Sequence, residues 1–403
     1  MSIENTNNQN QTPRSDRLHI AFFGKRNSGK SSLINAITNQ NTAIVSDTAG
    51  TTADPVYKAM EIHPLGACVL IDTAGFDDVG ELGRLRVEKT EIVTKSTDIA
   101  VMVFCDLDFE YEKIWINKLK KLGINILAVI NKIDKITNTD EIDAKIREEF
   151  SLVPIKVSAL TYDGVDMIKD ELVRLVPEAF SSSSIARHLV GKDDVVLLVM
   201  PQDIQAPKGR LILPQVQTIR DLLDGKSIVI SCTTDCMESA LASLKNPPKL
   251  IITDSQVFDT VYKLKPQESL LTSFSVLFAR HKGDIDEFVR GSAAIDALKE
   301  GDCVLIAEAC THAPLEEDIG RVKLPRMLKN RVGEGLCVDV VSGNNFPHDL
   351  SKYALIIHCG ACMFNKRYVM SRIESAREFG VPITNYGVAI AKISGILDKI
   401  ETY

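Results

Sequence analysis

Two groups of residues in this chain have the types and spacing to do chemistry. The first is Gly24-Lys25-Arg26-Asn27-Ser28-Gly29-Lys30-Ser31, a GxxxxGK[ST] pattern with Ser32 directly behind it. Glycines in such a loop let backbone N–H groups wrap phosphate oxygens at the positive end of the helix that follows. Lys30 is then placed to reach the β- and γ-phosphates, and the Ser31 hydroxyl to ligate Mg²⁺. Asn27, Ser28, Gly29, Lys30, Ser31 and Ser32 are the candidate phosphate-side residues. The second group is Cys310-Thr311-His312 followed by His358-Cys359-Gly360-Ala361-Cys362. Zinc and iron–sulfur clusters both take soft thiolates, so Cys310, Cys359 and Cys362 are candidate ligands for either. Zinc would take a histidine as fourth ligand, His312 or His358, whereas a 4Fe–4S cluster on three cysteines leaves one iron exchangeable. In an extended chain Cys310 and His312 point the same way, while His358 and Cys359 point apart, which favours His312.

Three further motifs narrow the nucleotide. Asp72-Thr73-Ala74-Gly75 supplies a carboxylate to hold Mg²⁺ through water and a glycine amide near the γ-phosphate. Asn131-Lys132-Ile133-Asp134 supplies a carboxylate, Asp134, that accepts from both N1–H and the 2-amino group of guanine. Adenine has no matching pair of donors. Ser158-Ala159 offers a backbone amide for the guanine O6. Each motif is weak by itself, but the four in order, each after an apolar strand-like run, point to GTP.

These motifs must be positioned by elements, and the pattern supplies them. Strands are expected at Leu18–Phe23, Ala67–Ile71, Ile99–Phe104, Ile126–Ile130 and Ile155–Val157, with helices such as Tyr111–Leu122 and Glu141–Phe150 between them. Strands alternating with helices argue for a mostly parallel α/β sheet, here a P-loop GTPase domain over residues 17–180 after a polar leader at 1–16. Ser181–Ser184 reads as a linker. A small middle α/β unit (187–265) is expected from runs at Val195–Met200, Ser227–Ser231 and Leu250–Thr253 and a helix at Pro214–Leu223. A third α/β unit (266–403) has expected strands at Cys303–Ala307, Leu336–Val341 and Ala354–Ile357 and helices at Ser292–Lys299 and Val369–Phe379. Both cysteine groups follow strands, and the carboxyl ends of parallel strands share one edge of a sheet.

Composition sets the outer limits. A chain of 403 residues is expected to make two or three domains, and a net charge of −7 argues against RNA as a main partner. The N-terminal segment lacks an apolar signal core, and no run of about eighteen apolar residues exists to span a bilayer. A cytoplasmic chain is expected, so its nine cysteines point to metal or redox chemistry rather than disulfides. Cys68, Cys105, Cys303 and Cys337 lie in or beside apolar strands and are expected in the core. Cys232 and Cys236 have a spacing that could touch a metal.

The nucleotide-binding half resembles the GTPases of the Era and tRNA-modification type. The resemblance makes Gly50-Thr51-Thr52 switch I, with Thr52 a ligand of Mg²⁺ and of the γ-phosphate, although Ala53-Asp54 departs from the usual Arg-Asp. Lys30, Thr52, Asp72 and Gly75 are then the catalytic set. Phe76 stands where Ras-like proteins place a water-orienting glutamine, which implies slow hydrolysis. Asn27 matches the asparagine that binds K⁺ in such relatives, and a K⁺ there would neutralise charge between the β- and γ-phosphates.

Over nearly its full length the chain resembles the iron–iron hydrogenase maturation GTPases. The phrases Cys310-Thr311-His312, His358-Cys359-Gly360-Ala361-Cys362, Phe274-Ser275-Val276-Leu277-Phe278-Ala279-Arg280 and Asp318-Ile319-Gly320-Arg321-Val322 bear that resemblance. It implies a 4Fe–4S cluster on the three cysteines, a middle unit that dimerises, and a scaffold that assembles or delivers a two-iron precursor. The implied partners are the apo iron–iron hydrogenase and two radical S-adenosylmethionine maturases, with GTP gating their exchange and no membrane. The competing expectation is an Era-type GTPase acting on RNA or ribosomes, with a structural zinc near its C-terminus.

Overall fold

The computed structural model describes residues 12–38, 55–75, 81–177, 180, 184–201, 211–309 and 318–402. The chain divides into two compact units, Met1–Ser182 and Ser183–Tyr403, and the division falls inside the expected linker.

In the first unit the elements run β1 (Leu18–Phe23), α1 (Lys30–Thr38), β2 (Val56–Ile62), β3 (Gly66–Asp72), α2 (Glu81–Lys95), β4 (Ile99–Phe104) and α3 (Glu110–Lys121). They continue with β5 (Asn125–Ile130), α4 (Thr139–Phe150), β6 (Ile155–Lys156) and α5 (Val165–Arg174). The sheet order is β2-β3-β1-β4-β5-β6, parallel except for β2 against β3. Side chains alternate between faces along a strand. Ala21 and Phe23 of β1 therefore enter one core with Trp115 and Ile146, while Leu18, Ile20 and Phe22 enter the other with Leu33 and Ile168. Both faces are covered, which is why β4 is an unbroken apolar run and β1 is apolar apart from the buried His19.

The second unit runs β7 (Val195–Val199), α6 (Leu213–Asp224), β8 (Ile228–Cys232), α7 (Met237–Ala242), β9 (Leu250–Thr253), α8 (Phe258–Leu264), β10 (Leu270–Ser273), α9 (Phe274–Lys282) and α10 (Ile285–Ser292). It continues β11 (Cys303–Glu308), α11 (Leu324–Val332), β12 (Cys337–Ser342), β13 (Leu355–His358), α12 (Lys366–Glu378), β14 (Ile383–Asn385) and α13 (Tyr386–Ile393). Two parallel four-stranded sheets result, β10-β9-β7-β8 and β12-β11-β13-β14. The middle sheet runs past the expected boundary at 265/266, because β10 pairs with β9. The two sheets also share one apolar core. Leu197 and Ile251 of the first sheet, Val276 and Phe288 of the intervening helices, and Leu305 and Ile356 of the second all belong to it. That shared core joins the two sheets into one compact unit, although each keeps its own four strands. The expected helix at Ser292–Lys299 is a short 3₁₀ turn, Ala293–Ala297, and the longer helix α10 precedes it.

Among the described residues no helix is long and apolar enough to cross a membrane.

Candidate functional site

The nucleotide site is built at the end of β1. Gly29 has φ +90°, and a Cβ there would lie 2.3 Å from Nδ2 of Asn131. The Asn131 amide fills that space and donates to the carbonyl of Ser28 at 3.0 Å, while its Oδ1 accepts from the Ala159 amide at 3.2 Å. One side chain thus ties the phosphate loop to the Ser158-Ala159 segment. Lys132 Nζ adds a bond to the carbonyl of Asn27, whose left-handed φ of +56° suits an asparagine. Ser158 Oγ donates to Asp134 Oδ1 at 2.6 Å and so orients an exposed carboxylate. Asn131, Lys132, Asp134, Ser158 and Ala159 therefore form one connected surface with Ser28 and Gly29.

Lys30 donates from Nζ to the carbonyls of Gly24 and Lys25, both at 2.8 Å, so its ammonium lies over the loop. Ser31 Oγ donates to Asp72 Oδ2, and Asp72 Oδ1 is buried with no hydrogen-bond partner among the described residues. Burial pushes the Asp72 carboxyl up, opposed by the Ser31 hydrogen bond and the charge of Lys30. A buried carboxylate oxygen without a partner, next to a hydroxyl, is a hard oxygen donor set that fits Mg²⁺. Gly75 packs against Arg26: a Cβ there would come within 2.7 Å of its backbone nitrogen. Ser32 sits half-buried in the first turn of α1. Thr52 and Phe76 lie outside the described residues.

Sequence reasoning missed a second layer. Lys25 Nζ bonds Asp106 at 3.1 Å and Asp108 at 2.9 Å, and lies 4.0 Å from Glu112. Burial works against the charge of Lys25, and hydrogen bonds to Asp108 and Asp106 overcome it and raise its pKa. Glu112 is buried in α3, and that burial lifts its carboxyl to about 7. The sequence Asp106-Leu107-Asp108 directly after β4 was the available signal.

The cysteine site lies at the carboxyl end of β13. Cys359 Sγ accepts from the amide of Ala309 at 3.0 Å and from that of Ala361 at 3.4 Å. Its own amide donates to Ala307 O at 3.0 Å. The residue preceding Cys310 in the sequence is thus bonded directly to the Cys359 sulfur. Amide donors of this kind stabilise a thiolate and tune whatever metal it holds. Ala361 has φ +53°, which turns the chain so that Cys362 follows half-exposed. The carbonyl of Cys359 accepts from Asn385 Nδ2 at 3.2 Å and from His358 Nδ1 at 2.8 Å.

His358 is fully buried, and its Nε2 accepts from Arg372 at 2.8 Å. Burial first, and then the Arg372 charge, lower its pKa to about 3. Both ring nitrogens are occupied, so ligating a metal would require breaking one of these bonds. Arg372 is itself buried, bonded to the carbonyl of Gly343 and ringed by Phe346, Phe364 and Tyr368. Arg321 binds Glu308 through Nε at 3.1 Å and Nη2 at 3.0 Å, and Asp318 caps the turn that presents Arg321. These contacts hold the end of β11 in place. Cys310 and His312 lie outside the described residues. Cys232 is half-buried at the end of β8 and Cys236 is exposed. They belong to no cluster of three or more close metal-ligating side chains among the described residues.

Comparison with known proteins places each part. Residues 185–283 match the model of the Hydrogen maturase F dimerization domain, and residues 286–401 that of the Hydrogen maturase F tetramerization domain. Together they span more than half of the chain. The chain belongs to the hydrogen maturase F family. Residues 19–132 match the 50S ribosome-binding GTPase model, so the first unit is a GTPase domain. The GTPase Der of Wolinella succinogenes is 34% identical over 179 residues, covering 41% of this chain and 37% of its own. The tRNA modification GTPase MnmE of Thermotoga maritima is 32% identical over 174 residues, covering 41% and 37%. The chain thus spans 37% of the length of either relative. A solved structure of Era in complex with MgGDPNP and nucleotides 1506–1542 of 16S ribosomal RNA is 21% identical, covering 53% of this chain and 91% of that chain. Its TM-score of 0.35 leaves the fold to be argued from the strand order itself. The Cys359 loop falls in the second hydrogen maturase F match, outside the segment shared with the GTPases.

Proposed function

We propose that this hydrogen maturase F chain hydrolyses GTP slowly and uses its second unit as an iron–sulfur scaffold for maturing iron–iron hydrogenase. In the first unit Asp134 would select guanine, Ser31 and Asp72 would hold Mg²⁺ with Thr52, and Lys30 would bind phosphate oxygens. Mg²⁺ supplies charge neutralisation at the phosphates. Asn27, exposed at the crest of the loop, is the candidate K⁺ ligand. In the second unit Cys310, Cys359 and Cys362 would bind a 4Fe–4S cluster, with an exchangeable position, open or held by His312, from which the two-iron cargo is assembled or passed on. A dimer, exchange with two radical S-adenosylmethionine maturases, a cytoplasmic setting and delivery to apo-hydrogenase complete the proposal.

The observation that supports it best is the Cys359 sulfur, receiving two backbone amides, one of them from the residue that precedes Cys310. The test is anaerobic iron and sulfide analysis with EPR of the reduced protein. Wild type and Cys303→Ser should hold about four irons per chain with a 4Fe–4S signal. Cys359→Ser, with an unchanged circular dichroism spectrum, should lose both. Bound zinc and no reducible signal after anaerobic reconstitution would overturn the scaffold and favour a GTPase with a structural zinc.

A further inference from the structure

Cys303 and Cys337 open the neighbouring strands β11 and β12, at the ends opposite to Cys359. Five residues of strand, about 16 Å, separate Cys303 from the carboxyl end of β11, so this pair cannot join the Cys359 site. The two residues are in register, Cys303 against Cys337. Adjacent strands lie about 4.8 Å apart, within the Cα separation of about 4.4–6.8 Å that a disulfide spans. In-register residues of parallel strands point to the same face, and here the Cys303 thiol donates to Cys337 Sγ at 2.7 Å. The pair was expected in the core. Instead β12 is an edge strand, Cys337 is exposed and Cys303 half-buried, so small molecules reach it.

Asp339 completes a group of three possible metal ligands. Its carboxylate already binds Lys352 Nζ at 2.7 Å and Tyr353 Oη at 3.0 Å, which weakens it as a ligand. A metal would also need both thiols deprotonated. Burial, the hydrogen bond to Cys337 and the charge of Asp339 push the Cys303 thiol up to about 12. Thiol–disulfide exchange needs a single thiolate at its first step.

We propose that Cys303 and Cys337 are a redox-active dithiol that closes into a cross-strand disulfide by exchange with a small disulfide of the glutathione class. Cys337 attacks one sulfur of the small disulfide, whose S–S bond breaks and releases one thiolate. Cys303 then gives up its proton, attacks the Cys337 sulfur of the mixed disulfide and expels the second thiolate. Two protein thiols are oxidised, one small disulfide is reduced to two thiols, and the protons pass to the leaving thiolates. The closed form ties the edge strand β12 to β11. It makes no use of the GTP or cluster sites.

The test equilibrates the full chain in glutathione buffers of rising oxidised fraction, blocks free thiols with an alkylating agent and maps peptides by mass. The expected result is a 303–337 linked peptide lacking two hydrogens. Cys303→Ser should trap glutathione on Cys337, several-fold more than Cys337→Ser traps on Cys303. Both residues alkylated separately across the whole range would overturn the proposal. So would a zinc ion in wild type that blocks alkylation and is lost in both variants, which would make the group a metal site.

Discussion

Glu112 is the residue where burial and charge conflict most openly. Its carboxyl sits in the core side of α3, 4.0 Å from Lys25, with a folded pKa of about 7 against an ordinary value near 4.5. Between those values the folded protein holds a proton that the unfolded chain has released, so stability falls as pH rises through that window. The deficit is complete above about pH 7 and amounts to about 3 kcal/mol at most. Glu112→Gln removes it. Its thermal midpoint relative to wild type should therefore rise between pH 5 and pH 8, and parallel curves would contradict the account. Asp106-Leu107-Asp108 marked the acidic loop in the sequence, but not its coupling of Lys25 to Glu112, because the loop lysine and the carboxylates meet only after β1 and β4 pair. The placement of Asp72 at the end of β3 and of Lys30 at the start of α1 was legible because it depends on local spacing. His358 was legible as a cysteine neighbour but not as a partner of Arg372, fourteen residues away on α12.

At the scale of elements, close approach of backbones decides what can change. Gly291 in α10 lies so near β14 that a Cβ would fall 2.0 Å from the carbonyl oxygen of Ile383. Gly291→Ala must push helix from strand, at a cost of about 1–3 kcal/mol. Because Asn385 of β14 bonds the Cys359 carbonyl, the same change should lower iron content after reconstitution. A variant with wild-type melting temperature and iron would show that the contact is not limiting. Strands covered on both faces were readable as apolar runs, and Leu18–Phe23, Ile99–Phe104 and Leu250–Thr253 stand where the pattern put them. β2 was not readable, since as an edge strand it exposes Val56 and Tyr57 and mixes in Lys58 and Glu61. β14 is too short at three residues to show a period. The start of α10 did leave a signal: Asp284 caps it, accepting from the Glu287 amide at 3.1 Å.

At the scale of the whole molecule, a GTPase domain and two hydrogen maturase F domains share one chain. In the first unit the loop after β1 is tied to Asn131 after β5, and in the second unit Cys359 stands at the end of β13. The order of the two was legible because each motif follows its own strand. The fusion of the middle and last sheets into one unit was not, because a shared core depends on which helix faces meet. If the loaded chain matures iron–iron hydrogenase as proposed, it should activate the apo-enzyme. Full-length protein isolated from cells that contain the other maturases would be mixed with apo-hydrogenase, and hydrogen evolution followed. Wild type and Cys303→Ser should activate it, and Cys359→Ser should show at least a tenfold loss. Hydrogen evolution no higher than that of apo-hydrogenase alone, or equal activation by Cys359→Ser, would contradict the proposal.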